Sequence, residues 1–180
     1  MIPSDHFVRF YNEVFKYLDS RNGLAEYYGE ISRHQDFHCL ELFRKKGLEG
    51  VREYYLKIRK EENCDLEILS GDHELILFMK RCPSLSKALD NDAGACPKYC
   101  LHCPGWTLRV YREAGLFQIY DLMGLENPQC CEYIFDDRSM AERRYRELAK
   151  SRDAQNLRIN FEMPETRSEE RRVGKECRSR

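Results

Sequence analysis

Apolar residues recur at helical spacing from the start of the chain. In "SDHFVRFYNEVFKYLDSRNG", Phe7, Val8, Phe10, Tyr11, Val14, Phe15 and Leu18 predict an amphipathic helix. Ser4 or Asp5 is placed to cap its start and Gly23 to end it. "LAEYYGEISRHQDFHCLELFRKKG" predicts a second helical region with a break near residues 35–37. "GLEGVREYYLKIRKEEN" predicts a third, with Leu48, Val51, Tyr54, Tyr55 and Ile58 along one stripe. After about residue 62 the pattern shortens towards a period of two. "LEILS" and "HELILFMKRC" read as strands joined through Gly71 and Asp72, which is hairpin chemistry.

Residues 90–103 break the pattern with Asn, Asp, Gly, Pro and Cys and read as an irregular loop. "GWTLRVYREAG" then predicts a short helix, with Gly115 as its stop. "LFQIYDLM" and "CCEYIFDD" read as two more strands, separated by the turn "GLENPQ", and "SMAERRYRELAKSR" as a closing polar helix. The order β-β-loop-α-β-β-α after a helical N-terminal half predicts an α+β fold, those helices packed on an antiparallel sheet of about four strands. There is no internal repeat or low-complexity tract.

Composition changes the picture mainly at the end of the chain. The last stretch, "RSEERRVGKECRSR" (residues 167–180), resembles the in-frame translation of a common sequencing-library adapter. It is excluded from fold reasoning as a non-native tail, and Cys177 carries no functional weight. The native sequence beyond Thr166 is then expected to be missing. Of the 180 residues, 30 are Lys or Arg and 31 Asp or Glu; without the tail the balance is 24 basic to 28 acidic. That mildly acidic balance, with no basic block, argues against a nucleic-acid partner. Residues 1–166 suit a single domain long enough to bury a core. No apolar run approaches the ~20 residues of a membrane span, so no membrane partner is expected. The start "MIPSDHFVRF" lacks a basic segment followed by an apolar one. A cytoplasmic, reducing setting is therefore expected. Eight cysteines outside the tail there point to metal or thiol chemistry rather than disulfides.

"CPKYCLHCPGW", residues 96–106, concentrates that chemistry. Cys100 and Cys103 form a C-x2-C knuckle whose spacing lets two thiolates reach one tetrahedral zinc ion. Cys82 is a donor by position, leaving the second strand where the loop region begins. Cys96, His102 or a distant cysteine completes the set. Adjacent strand residues point to opposite faces, so only one of Cys130 and Cys131 faces the loop. The metal-ligand candidates are thus Cys82, Cys96, Cys100, Cys103 and Cys131. Cys96, Cys100 and Cys103 also have the C-x3-C-x2-C spacing of radical S-adenosylmethionine enzymes, which makes an iron–sulfur cluster the alternative cofactor. Two further readings stay open: a thiolate nucleophile beside His102 at a helix start, and reduced cysteines serving as small apolar residues.

The hairpin ending "KRCPSL", the loop "YCLHC", the helix, "AGLFQIYDLMG" and the strand "CCEYIF" together resemble the L-2-amino-thiazoline-4-carboxylic acid hydrolase-like family. More distantly they resemble the small four-vinyl-reductase-type ligand-binding domains. The resemblance covers about residues 27–137. It implies a small cytoplasmic α+β protein that opens a C–N bond in a cyclic amidine or amide, or binds a small ligand. On the hydrolase reading a bound zinc ion assists, and His102 or His34 handles protons. The alternative is a non-catalytic module with a structural cysteine site. An all-cysteine shell favours the module; a mixed Cys/His shell with an open position favours the enzyme. Glu30, His34 and His38 stand at i, i+4 and i+8, so a continuous helix would align them on one ridge. Trp106, beside the loop, suits either a pocket wall or cover for the sheet. Either way the expected partner is a small molecule.

Overall fold

The computed structural model describes residues 5–90 and 94–164. Ser4, the Asp5 side chain and the tail at 167–180 with Cys177 lie outside the described residues. The fold is α+β, with a helical N-terminal half and an antiparallel sheet of five strands. Four helices come first: α1 (Asp5–Asp19), α2 (Leu24–Arg33), α3 (Glu41–Lys46) and α4 (Leu48–Glu62). The hairpin β1 (Asp65–Ser70) and β2 (Glu74–Arg81) leads to α5 (Pro83–Leu89). Next come α6 (His102–Glu113), β3 (Phe117–Leu122), β4 (Cys130–Phe135), α7 (Arg138–Leu148) and β5 (Leu157–Ile159). No described helix is long and apolar enough to cross a membrane.

The strand order is β1-β2-β4-β3-β5, so β4 lies at the centre of the sheet. Its pleat divides the core. Ile134 joins Leu75, Leu77, Val110 and Tyr111 in a cluster under α4 and α6. Phe135 joins Ile119, Ala141 and Leu157 on the opposite face, under α7. A third cluster, with Val8, Phe15, Tyr28, Leu85, Cys96 and Tyr99, ties α1 and α2 to the loop before α6.

Several boundaries differ from the pattern-based expectation. α1 ends through Asn22, whose φ is 56°, while Gly23 has φ −93° and opens α2 instead. The expected break near residues 35–37 is real: a π-helical turn at Asp36–Leu40 separates α2 from α3. Gly115 does end α6, with φ 77° and the Leu116 N–H returning to the Tyr111 carbonyl at 2.9 Å. α5 and β5 are additional elements. Proline at the first helical position suits the start of α5, since its missing N–H costs nothing there.

α2 and α6 approach closely at Gly105. A Cβ there would lie 2.8 Å from the Tyr28 Cβ, Cγ and Cδ2 atoms. Alanine would gain about 1 kcal/mol of helix propensity. It would lose about 1–3 kcal/mol to overpacking, because a ring root close to the backbone has little room to yield. Gly105→Ala is therefore expected to lower the melting temperature by a few degrees, read by thermal denaturation. An unchanged or raised value would show that the helices can move apart.

Candidate functional site

The ends of several elements meet beneath α6. Cys82 caps the start of α5, its Sγ accepting from the Leu85 N–H at 3.4 Å. Cys100 lies in a 3-10 turn at Tyr99–Leu101, and Cys103 in the first turn of α6. Cys130 opens β4. All four thiols, with His102, Tyr99 and Tyr120, line one cavity of about 20 Å³. That is room for a single water-sized species. The loop is anchored from α1: buried Asn12 donates to the Gly94 carbonyl at 2.8 Å and accepts from the Cys96 N–H at 2.7 Å.

Cys82, Cys100 and Cys103 are therefore brought together, and the fourth thiol is Cys130. Cys131 is not among the lining residues: the pleat turns it to the α7 face, opposite Asp121 in the neighbouring strand. Cys96 is fully buried in the α1–α2–loop cluster, away from the cavity. The C-x3-C-x2-C trio thus does not face one common space.

His102 connects the parts chemically. Its Nδ1 lies 2.7 Å from the Tyr99 carbonyl oxygen, which can only accept, so Nδ1 carries the proton. Its Nε2 is then the free base, 3.2 Å from Cys103 Sγ. The ring stacks on Phe15, with centroids 5.8 Å apart, and meets the edge of Tyr99 at 5.3 Å. Burial lowers its proton affinity, which favours neutral imidazole. Burial also raises the four thiols: Cys82 to about 11, Cys100 and Cys103 to about 12, and Cys130 well above its ordinary value. Repulsion between neighbouring thiols pushes Cys82, Cys100 and Cys130 further the same way. The Tyr120 hydroxyl, 3.4 Å from Cys130 Sγ, also draws Cys103 back down.

On its other side His102 faces a much larger cavity of about 410 Å³. Rings of Tyr11, Phe15, Tyr27, Tyr28, Tyr99 and Trp106 form most of its wall, and Glu62 supplies a carboxylate. This volume suits a small ligand. The Tyr28 hydroxyl is buried with no hydrogen-bond partner among the described residues. The pattern-based reading left Trp106 open between pocket and sheet; it lines the pocket and also packs on the central core.

A polar seam continues from the thiols along the underside of α6. Thr107 donates to Gln118 at 3.2 Å, Gln118 to Glu132 at 2.7 Å, and Tyr55 to the other Glu132 oxygen at 3.3 Å. Burial pushes the Glu132 carboxyl up to about 8. Sequence reasoning missed this group, because an acidic residue in a strand ordinarily reads as its solvent face.

The histidine ridge does not form. The π-helical turn interrupts it. Glu30 pairs with Arg33, and His38 contacts the Tyr54 hydroxyl at 3.1 Å. His34 is exposed and lines neither cavity, so it is not placed to act with the thiols.

For a metal, donor type and arrangement give different answers. Four soft thiols around a one-ion cavity fit zinc by chemistry. Among the described residues, however, no three His, Cys, Asp or Glu side chains stand in a ligating arrangement. Three of the four sulfurs are instead within hydrogen-bonding distance of protein groups. No family model matches the chain, and neither a curated protein nor a solved structure matches it.

Proposed function

We propose that the protein is a small-ligand-binding module whose cysteine cluster takes a thiophilic metal, zinc foremost. One observation carries this reading: the ring-lined cavity and the thiol-lined cavity share Tyr99 and His102. Cys82, Cys100, Cys103 and Cys130 would hold the ion, as thiolates once the metal displaces their protons. Four cysteines make a closed shell, the composition of structural rather than catalytic zinc sites. Such a site would tie the loop and the start of α6 to the central strand. Protein purified without chelator under anaerobic conditions is expected to carry about one zinc per chain and no visible colour. A brown chromophore with iron would replace zinc by a cluster. Absence of both metals would remove the metal from the proposal.

His102 supports a second reading, a metal-assisted hydrolase acting on a C–N bond of a small cyclic amidine or amide. In that case the metal would polarise the substrate or its water. His102 lines the ligand cavity with a neutral ring whose Nδ1 is fixed on a carbonyl, and its basic Nε2, now 3.2 Å from Cys103 Sγ, would have to leave that thiol to take a proton from a ligand. His102→Ala is expected to retain zinc and to cut any ring-opening activity by ~10²–10⁴-fold, with a lower melting temperature because the ring packs on Phe15 and Tyr99. Loss of zinc would make His102 a ligand; unchanged activity would leave only the binding module.

A further inference from the structure

The ring-lined cavity is electrostatically one-sided. Glu62, at the end of α4, is the only ionisable acid among its described lining residues, and no Lys or Arg joins it. Around it stand Phe15, Tyr27, Tyr28, Tyr99 and Trp106, whose faces carry negative π density. Among the described lining residues His102 is the only other group with a charged form near neutral pH, and its buried ring favours the neutral state. An anion entering this space would meet a carboxylate and aromatic rings, with no Lys or Arg among the described lining residues to receive it. Burial raises the proton affinity of the half-buried Glu62, and a neutral ligand would add nothing to offset that burial. A small organic cation satisfies both: its charge pairs with Glu62, and its apolar and cationic surface packs on the rings.

We infer that this cavity selects a small organic cation, an ammonium or amidinium borne on an apolar body, with Glu62 as its counter-ion. The inference rests on the small-ligand reading above and narrows it to a charge class. The buried, unpartnered Tyr28 hydroxyl supplies a polar group for a heteroatom on such a ligand.

Trp106 is the only tryptophan in the chain and lines the cavity, so its fluorescence reports occupancy directly. The probes are phenethylamine (cation), phenethyl alcohol (neutral) and 3-phenylpropionate (anion), titrated into the full chain at neutral pH. The expected order is amine first, alcohol weaker, carboxylate weakest. Glu62→Gln is expected to weaken the amine by about tenfold or more while leaving the alcohol within about twofold. Equal binding of all three probes, or a Glu62→Gln chain that holds the amine as tightly as the parent, would overturn the charge class and leave the small-ligand reading in place. Failure of all three to perturb Trp106 would overturn both. Trp106→Phe, followed by calorimetry with the amine, checks that the fluorescence change comes from binding.

Discussion

If the four thiols hold zinc as proposed, a chain carrying Cys100→Ser and Cys103→Ser is expected to bind none and to melt roughly 10 °C lower. The C-x2-C pair supplies half of the proposed shell from one turn, so no rearrangement of Cys82 and Cys130 replaces it. Structural zinc in small modules is worth about 10–16 kcal/mol, and there it holds the whole fold. Here the central cluster and the α7 cluster stand without the loop, so only the loop and the start of α6 would depend on such an ion. A loss of about 3–4 kcal/mol is the corresponding scale, at about 2–4 °C per kcal/mol for a chain of this size. Single variants sharpen the test, because the two adjacent cysteines of β4 face opposite ways. Cys130→Ala should reduce zinc affinity, whereas Cys131→Ala should leave zinc content at the parent level. Equal zinc in the parent and the double variant, measured by elemental analysis, would end the four-thiol proposal.

How much of this was legible follows from the range over which each signal acts. The change from helical to alternating periodicity after about residue 62 is local, and both hairpins and the α+β class are readable from it. Three of the four cavity thiols are equally local in origin: Cys82 leaves a strand, and Cys100 and Cys103 share a turn. The fourth depends on which face of β4 looks inward. In "CCEYIF" one parity carries Cys130, Glu132 and Ile134 and the other Cys131, Tyr133 and Phe135, so the strand alone favours Cys131 as the inward thiol. The actual choice comes from pairing, which sets Cys130 beside Met79 and Glu132 beside Leu77 on the face that α4 and α6 cover. α5 and β5 escaped notice because seven and three residues carry too little periodicity. Proline after a cysteine cap was the available signal for α5. The ring-lined cavity is assembled from α1, α2, the 3-10 turn and α6, and no single window contains it. Asn12 reads as one polar residue in an amphipathic helix, yet its clamp on Gly94 and Cys96 is what brings the loop home.

Glu132→Ala is expected to destabilise the protein by about 3–5 kcal/mol, whereas Glu132→Gln should stay within about 1 kcal/mol of the parent. Glu132 sits on the central strand, 6% exposed, between Leu77 on one side and Tyr120 on the other. Truncation to alanine removes both acceptors, leaving the Gln118 amide and the Tyr55 hydroxyl buried and unsatisfied. Each orphaned group costs about 1–3 kcal/mol, and the vacated volume adds a cavity term. Glutamine has the same shape and keeps a carbonyl for one of the two donors. It also resembles the protonated carboxyl that burial favours at Glu132, which limits the cost of the imperfect match to the second. The seam has a functional consequence, because Cys103 and Thr107 are one turn apart on α6. Loosening the hold of Thr107 on Gln118 releases the same helix face that sets Cys103 against His102. Glu132→Ala should therefore also weaken metal retention, while Glu132→Gln retains it. Urea midpoints and zinc content, measured on both variants, decide the matter. A glutamine variant as damaged as the alanine one would mean that the carboxylate charge, and not its hydrogen bonding, holds α6 to the sheet.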